Sequence, residues 1–249
     1  MLRCLCMVAV LLSCGPVPGV GAQQADRPDY AAERAAMIQG IRFHAAMAAP
    51  ETGIAEIDPR ILDVMGEVPR HEFVPEALRP YAYADTPLPV GEGQNLAMPY
   101  LVALMTQLAE IHPRDVVFET GTGAGYHAAV LSRLARRVVS VEVLAPLALQ
   151  ASGTLKRLGY DNVEVTAADG YYGAPRRAPF DAMIVKEAVD HVPPPLLVQL
   201  KPGGRLVLPL GPRRGPQTLT VIRKDADGRI SRHGVLEVQF TPLQGGERI

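Results

Sequence analysis

The 249-residue chain has three cysteines, Cys4, Cys6 and Cys14, and none beyond residue 14. The rest of the sequence therefore has nothing from which to build a disulfide framework or a thiolate metal site. Its six histidines (His44, His71, His112, His127, His191 and His233) are scattered without metal-ligand spacing, so no metal is expected. Charge of one sign is also missing. The 25 Lys and Arg against 26 Asp and Glu leave a net charge of −1, and neither sign forms a long run. That balance argues against a dedicated nucleic-acid or membrane-surface binder. There is no internal repeat and no low-complexity tract. What is present is 48% hydrophobic residues, enough for one sizeable core with an N-terminal extension.

The first residues have the form of an export signal. Arg3 supplies a positive start, Leu5 to Leu12 an apolar stretch, and Val20-Gly21-Ala22 a small-residue cleavage site before Gln23. The apolar stretch is too short to span a bilayer as a mature helix. Residues 1–22 are therefore read as a signal peptide, and the protein as exported to the periplasm. Cleavage after Ala22 would leave a cysteine-free chain, which suits an oxidising compartment. Leu11-Leu12-Ser13-Cys14 also resembles a lipoprotein cleavage site, which would leave Cys14 lipidated. Ordinary cleavage is preferred because a Pro- and Gly-rich segment precedes Val20, and a lipid on Cys14 is the one route to a membrane.

After a polar linker, Asp29 to Met47 reads as an Ala-rich helix with Asp29 as a candidate N-cap. Asp58-Pro59 joins an N-cap to proline at the first helical position and opens a short helix to Met65. Residues 66–98 are rich in Pro and Gly and read as irregular; Pro99 then starts a helix to about Ala109. Strands are expected at Val116–Phe118, Val138–Val141, Val163–Val165, Phe180–Val185, Arg205–Pro209, Leu219–Ile222 and Val235–Phe240. Helices are expected at Tyr126–Leu134, Ala145–Leu158 and Pro194–Leu200, the last ending at Pro202-Gly203-Gly204. Strands alternating with helices imply an α/β fold with a doubly wound, mostly parallel sheet. Ala226-Asp227-Gly228 reads as a hairpin turn, so the last two strands are expected as an antiparallel pair at one edge.

The chemistry concentrates between residues 116 and 142. A short apolar strand ends in Glu119 and runs into a loop with Gly121, Gly123 and Gly125 around Thr122. Backbone N–H groups at the helix that follows can receive a carboxylate or phosphate. The next strand ends in Glu142, an acid placed to accept hydrogen bonds from both ribose hydroxyls of a nucleoside. The dinucleotide fingerprint is Gly-x-Gly-x-x-Gly, whereas the spacing here is Gly-x-Gly-x-Gly with an acid two residues ahead. Glu119 would repel a pyrophosphate but suits an ammonium. S-adenosylmethionine carries an ammonium, a sulfonium and a ribose, so the two acids favour it over NAD.

Several segments together resemble the protein-L-isoaspartate O-methyltransferase family, over roughly residues 30–245. They are Val68-Pro69-Arg70-His71-Glu72-Phe73-Val74-Pro75, the run from Ala82 to Gln94 containing Pro87-Leu88-Pro89-Val90-Gly91-Glu92-Gly93-Gln94, the glycine loop, Ala178-Pro179-Phe180-Asp181-Ala182, and Leu200 to Pro209. The resemblance implies a Rossmann-like methyltransferase that moves a methyl from S-adenosylmethionine to an isoaspartyl carboxylate in a protein or peptide. The ester closes to a succinimide that can reopen as aspartate, which is protein repair. It also implies that Glu119, Gly121, Thr122, Gly123 and Gly125 line the methionine end of the cofactor. Glu142 would hold the ribose, and Asp169-Gly170 would lie beside the adenine. Tyr171-Tyr172 would either stack on the base or pack in the core. The chain divides into residues 1–22, an extension 23–98 that covers the site, and a methyltransferase domain 99–249, expected to act as a monomer.

Two departures accompany the resemblance. Where the family typically reads Thr-Ile-Ser, this chain has Asn95-Leu96-Ala97, so the active-site hydroxyl is absent at Ala97. Where it commonly reads Val-Thr-Ala-Ala, this chain has Val185-Lys186-Glu187-Ala188. A carboxylate nucleophile, with a reference pKa of about 4, needs no general base at neutral pH. The missing hydroxyl would have held the acceptor, and one such hydrogen bond is worth about 1–3 kcal/mol, or roughly ten- to a hundred-fold in rate. Asn95 is a candidate replacement donor, and Lys186 a candidate partner for the acceptor carboxylate if it faces the pocket. S-adenosylmethionine is made in the cytoplasm, so an exported enzyme needs a supply. The alternative reading is therefore an exported, non-catalytic or divergent member that binds a nucleoside or a protein partner.

Overall fold

The computed structural model describes residues 29–245. The export segment and its three cysteines lie outside the described residues. Helix α1 (Ala31–Thr52) is longer than the sequence suggested and ends at Gly53 in the left-handed conformation. Helix α2 (Pro59–Glu67) opens as expected, with the Asp58 side chain accepting from the Arg60 amide at 2.8 Å. Residues 66–98 are not irregular throughout. They hold short 3-10 segments at Arg70–Phe73 and Glu76–Tyr81 and an antiparallel hairpin of β1 (Leu88–Gly91) and β2 (Gln94–Leu96). Leu88, Val90 and Leu96 supply its buried face, a strand too short for alternation to stand out among prolines.

Helix α3 (Pro99–Ala109) leads into β3 (Val116–Thr120), α4 (Tyr126–Leu134), β4 (Arg137–Glu142), α5 (Ala145–Arg157) and β5 (Val163–Ala167). Then come β6 (Phe180–Ile184), α6 (Pro194–Gln199), β7 (Leu200–Leu210), β8 (Gln217–Lys224) and β9 (Ile230–Val238). The seven-stranded sheet has the order β5-β4-β3-β6-β7-β8-β9. β5 through β7 are parallel, and β8 and β9 form the antiparallel hairpin at the edge. Pro202-Gly203-Gly204 does not end a helix. Pairing with β6 jumps from Leu200 to Arg205, so these residues bulge out within β7.

Alternate strand residues face two apolar layers, as a sheet covered on both sides requires. Val117, Ala182, Ile184 and Val207 pack under α1 to α4, while Phe118, Met183, Leu206 and Leu208 pack on the other side with Leu196 and Leu243. The N-terminal extension belongs to the first layer through Met37, Ile41, Ala45, Ile61 and Met65.

Arg70 ties that extension to the rest. It is fully buried; Nε donates to the Ala82 carbonyl and Nη2 to the Ala97 carbonyl, both at 2.7 Å. Its guanidinium lies 4.6 Å from the centre of the Tyr126 ring on α4. Arg70→Met should strand one buried and one half-buried carbonyl, costing about 3 kcal/mol and lowering the melting temperature by roughly 6–12 °C. Thermal denaturation followed by circular dichroism measures the shift.

Candidate active site

β4 and β5 lie to one side of β3, and β6 lies to the other. The C-terminal ends of β3 and β6 therefore flank the topological switch point, where doubly wound sheets hold ligands. A cavity of about 220 Å³ opens there. The glycine loop supplies Gly121 to Ala124, the end of β4 supplies Glu142 to Leu144, and the end of β6 supplies Lys186 and Glu187. Gln94 to Met98 close it from the hairpin side, and Gln239 to Pro242 from the C-terminal segment. No motif in the sequence marks that last wall. It is pinned by two long-range backbone bonds, the Ala188 amide donating to Thr241 and the Leu243 amide to Ala188, and by the Phe240 amide donating to Gln217 Oε1.

Glu142 is buried but faces the cavity. Its Oε2 accepts from the Gly123 amide at 2.8 Å and its Oε1 from the Leu144 amide at 3.0 Å. Each carboxylate oxygen keeps a further lone pair, so a held, oriented acceptor remains for a vicinal diol. With the amide-rich loop beside it, this donor and acceptor set fits a nucleoside carrying an amino-acid end.

Glu119 is differently placed from the expectation that it would meet the ammonium of such a ligand. It has no exposure and is not part of the cavity wall. Ser140 donates to its Oε1 at 2.7 Å, and Lys186 Nζ lies 2.8 Å from its Oε2. Thr122 in turn hydrogen-bonds Ser140. Lys186, expected to face an acceptor carboxylate, lines the cavity but spends its charge on Glu119. The reason is desolvation: a buried carboxylate needs a cation, and Lys186 on the neighbouring strand tip is within reach.

Glu187 projects over the loop. The Thr120 hydroxyl donates to its Oε2, and a Cβ on Gly121 would collide with its Oε1. Gly121 has φ +61° as well, so the backbone conformation favours glycine, and a side chain there would have to displace the Glu187 carboxylate. Burial pushes the Glu187 carboxyl up to about 7, against the pull of Thr120 and Lys186. His127 also lines the cavity and is buried. The Thr106 hydroxyl donates to the Val102 carbonyl at 2.7 Å, so His127 Nε2–H donates to Thr106 at 2.9 Å. Burial holds its pKa well below the usual value, and the neutral ring leaves Nδ1 without a partner among the described residues.

Asn95 and Ala97 both reach the cavity, Asn95 from an exposed position. Gly125, Asp169 and Gly170 do not line it. A Cβ on Gly125 would lie 3.2 Å from Leu155, so that glycine lets α4 approach α5. Asp169 Oδ1 accepts from the Tyr171 amide at 2.9 Å, and the side chain lies against Gly245. A Cβ on Gly170 would sit 2.6 Å from the Thr120 side chain, making this glycine part of the packing behind the β3 tip. Tyr171 and Tyr172 are likewise outside the cavity wall.

The family model for protein-L-isoaspartate(D-aspartate) O-methyltransferase matches residues 49–248. The chain belongs to this family. It is 51% identical over 215 residues to protein-L-isoaspartate O-methyltransferase 1 of Cupriavidus necator, covering 86% of this chain and 83% of that one. Against protein-L-isoaspartate O-methyltransferase 2 of Syntrophobacter fumaroxidans it is 47% identical over 240 residues, covering 96% of each chain. A solved protein-L-isoaspartate O-methyltransferase structure superposes with a TM-score of 0.73 at 29% identity, covering 85% of this chain and 66% of that one. The fold is thus that of a Rossmann-like methyltransferase, and the family uses S-adenosylmethionine.

In this family member the Glu119–Lys186 pair makes a direct prediction. Lys186→Met should cost about 3–5 kcal/mol by leaving Glu119 buried without a cation. Adding Glu119→Gln to the same protein should recover at least half of that loss. Urea titration of the parent, single and double variants measures both.

Proposed function

We propose that this protein transfers the methyl group of S-adenosylmethionine to the side-chain carboxylate of an isoaspartyl residue in a protein or peptide. The ester then allows return to aspartate through a succinimide. One observation carries the reading: in a chain of this family, Glu142 is hung between the Gly123 and Leu144 amides and faces a crevice at the switch point. When bound, the cofactor supplies an electrophilic methyl on a sulfonium. Glu142 would hold the ribose hydroxyls, and the loop amides would orient the amino-acid end. Met98, Leu101 and Val102 form an apolar part of the wall, which keeps water from the acceptor carboxylate and strengthens the charge interactions within. No residue need remove a proton, because the acceptor is already ionised at neutral pH. Positioning is then the main contribution of the protein.

Ala97 stands in the wall with its carbonyl fixed by Arg70, so its backbone is held whether or not the side chain carries a hydroxyl. The parent protein should methylate an isoaspartyl peptide and not the aspartyl peptide of identical sequence. Ala97→Ser should raise kcat/KM by no more than about a hundredfold, the upper value of one hydrogen bond. Release of labelled methanol from the ester measures this. A gain above about a hundredfold from a near-zero background would show the parent to be a lapsed catalyst.

The export reading is a separate proposal. The charged, apolar and small-residue order of residues 3–22 supports a signal peptide and a periplasmic location, where we take the enzyme to work as a monomer on protein substrates. The N-terminal mass of the protein from a cell fraction checks it. A start at Gln23 is expected, and a start at a lipid-bearing Cys14 would move the protein to a membrane surface.

A further inference from the structure

We propose that Glu187, rather than Glu119, is the acid that receives the ammonium of the cofactor's amino-acid end. This inference rests on the cofactor reading above and adds a residue to it. Glu119 is closed off: it has no exposure, takes a hydrogen bond from Ser140 and is paired with Lys186. Its charge is already balanced inside the protein. Glu187 has the opposite situation. Glu187 lines the cavity; Thr120 holds one of its carboxylate oxygens, while Oε1 lies over Gly121 with no hydrogen bond among the described residues.

Position and charge agree. Loop amides at the start of α4 suit the carboxylate of an amino acid, and its ammonium, two bonds away, then needs an anion at the edge of the same loop. Glu187 reaches over the first glycine of that loop. It faces Lys186 on its own segment, Glu119 at the tip of β3 and Glu142 at the tip of β4, with His127 held neutral by burial on α4. Burial above all, with the two other acids adding a little, makes its negative charge costly in the free protein, raising its pKa to about 7. A bound ammonium removes that cost. Affinity for an ammonium-bearing ligand should therefore increase as pH rises through 7, by about tenfold between pH 6 and 8.

Calorimetric titration with two nucleosides tests this. S-adenosylhomocysteine keeps the ammonium and lacks the sulfonium; 5′-methylthioadenosine keeps adenine, ribose and sulfur but has no amino-acid end. Glu187→Gln should weaken S-adenosylhomocysteine at pH 8 by about tenfold or more and flatten its pH dependence, by removing the paired charge. Binding of 5′-methylthioadenosine should stay within about twofold, which also reports that the variant is folded. The proposal is overturned if S-adenosylhomocysteine binding changes less than about twofold, if both nucleosides weaken equally, or if Glu187→Gln tightens binding. The last result would make Glu187 a plug. A parent protein that binds neither nucleoside would instead overturn the cofactor reading on which the proposal stands.

Discussion

The ion pair between Glu119 and Lys186 joins the tips of the two strands that part at the switch point. Everything at the site is arranged around it. Glu119 is the next-to-last residue of β3 and Lys186 follows β6, so their contact bridges the place where the sheet changes direction. Ser140, at the facing register position on β4, holds the other oxygen of Glu119 and passes the constraint to Thr122 in the glycine loop. Because the carboxylate is fully buried, its cation is obligatory. The adjacent Lys186 amide also donates to Thr120 at 3.2 Å, and the same hydroxyl holds Glu187. Loop, strand tips and cavity wall are thus one hydrogen-bonded unit.

A second linkage brings the N-terminal extension into the site. Arg70 reaches from a 3-10 turn to the carbonyls of Ala82 and Ala97 and to the face of Tyr126. Its stem and planar fork satisfy two backbone acceptors that would otherwise be left without partners. Ala97 belongs to the cavity wall and Tyr126 opens α4, so the cover over the crevice is registered to the cofactor loop by a single side chain.

Local patterns were readable in the sequence and distant partnerships were not. The strand, glycine loop and helix from Val116 to Leu134 follow from an apolar run, glycines and helical spacing that lie within twenty residues of one another. The Ala226 to Gly228 turn was equally local. The β1–β2 hairpin is not legible in the sequence because strands of four and three residues carry too little alternation to stand out, the first with Pro89 inside it. The burial of Glu119 is illegible in the sequence for another reason. Its acid character was evident, but its partner lies 67 positions away, and only the fold brings Lys186 to it. Gly125 and Gly170 lie outside the cavity wall: the first answers to its φ of +96° at the start of α4, and the second to packing against Thr120. The wall from Gln239 to Pro242 has no sequence signature, since backbone bonds to Ala188 create it.

Charge balance connects these features to the chemistry of the family. An acceptor carboxylate must enter a crevice that already holds Glu142 and Glu187, and like charges at close range resist it. Lys186 gives little help, being committed to Glu119. With Glu187 paired to an ammonium as proposed, one of the two opposing charges is neutralised, and the sulfonium supplies a positive centre for the acceptor. The empty crevice would then repel the acceptor and the cofactor-bound crevice would attract it. Such a site imposes an order of binding through electrostatics alone, without a moving lid. It also accounts for a lysine and a glutamate side by side after β6: one makes Glu119 tolerable, and the other supplies the cavity with an anion.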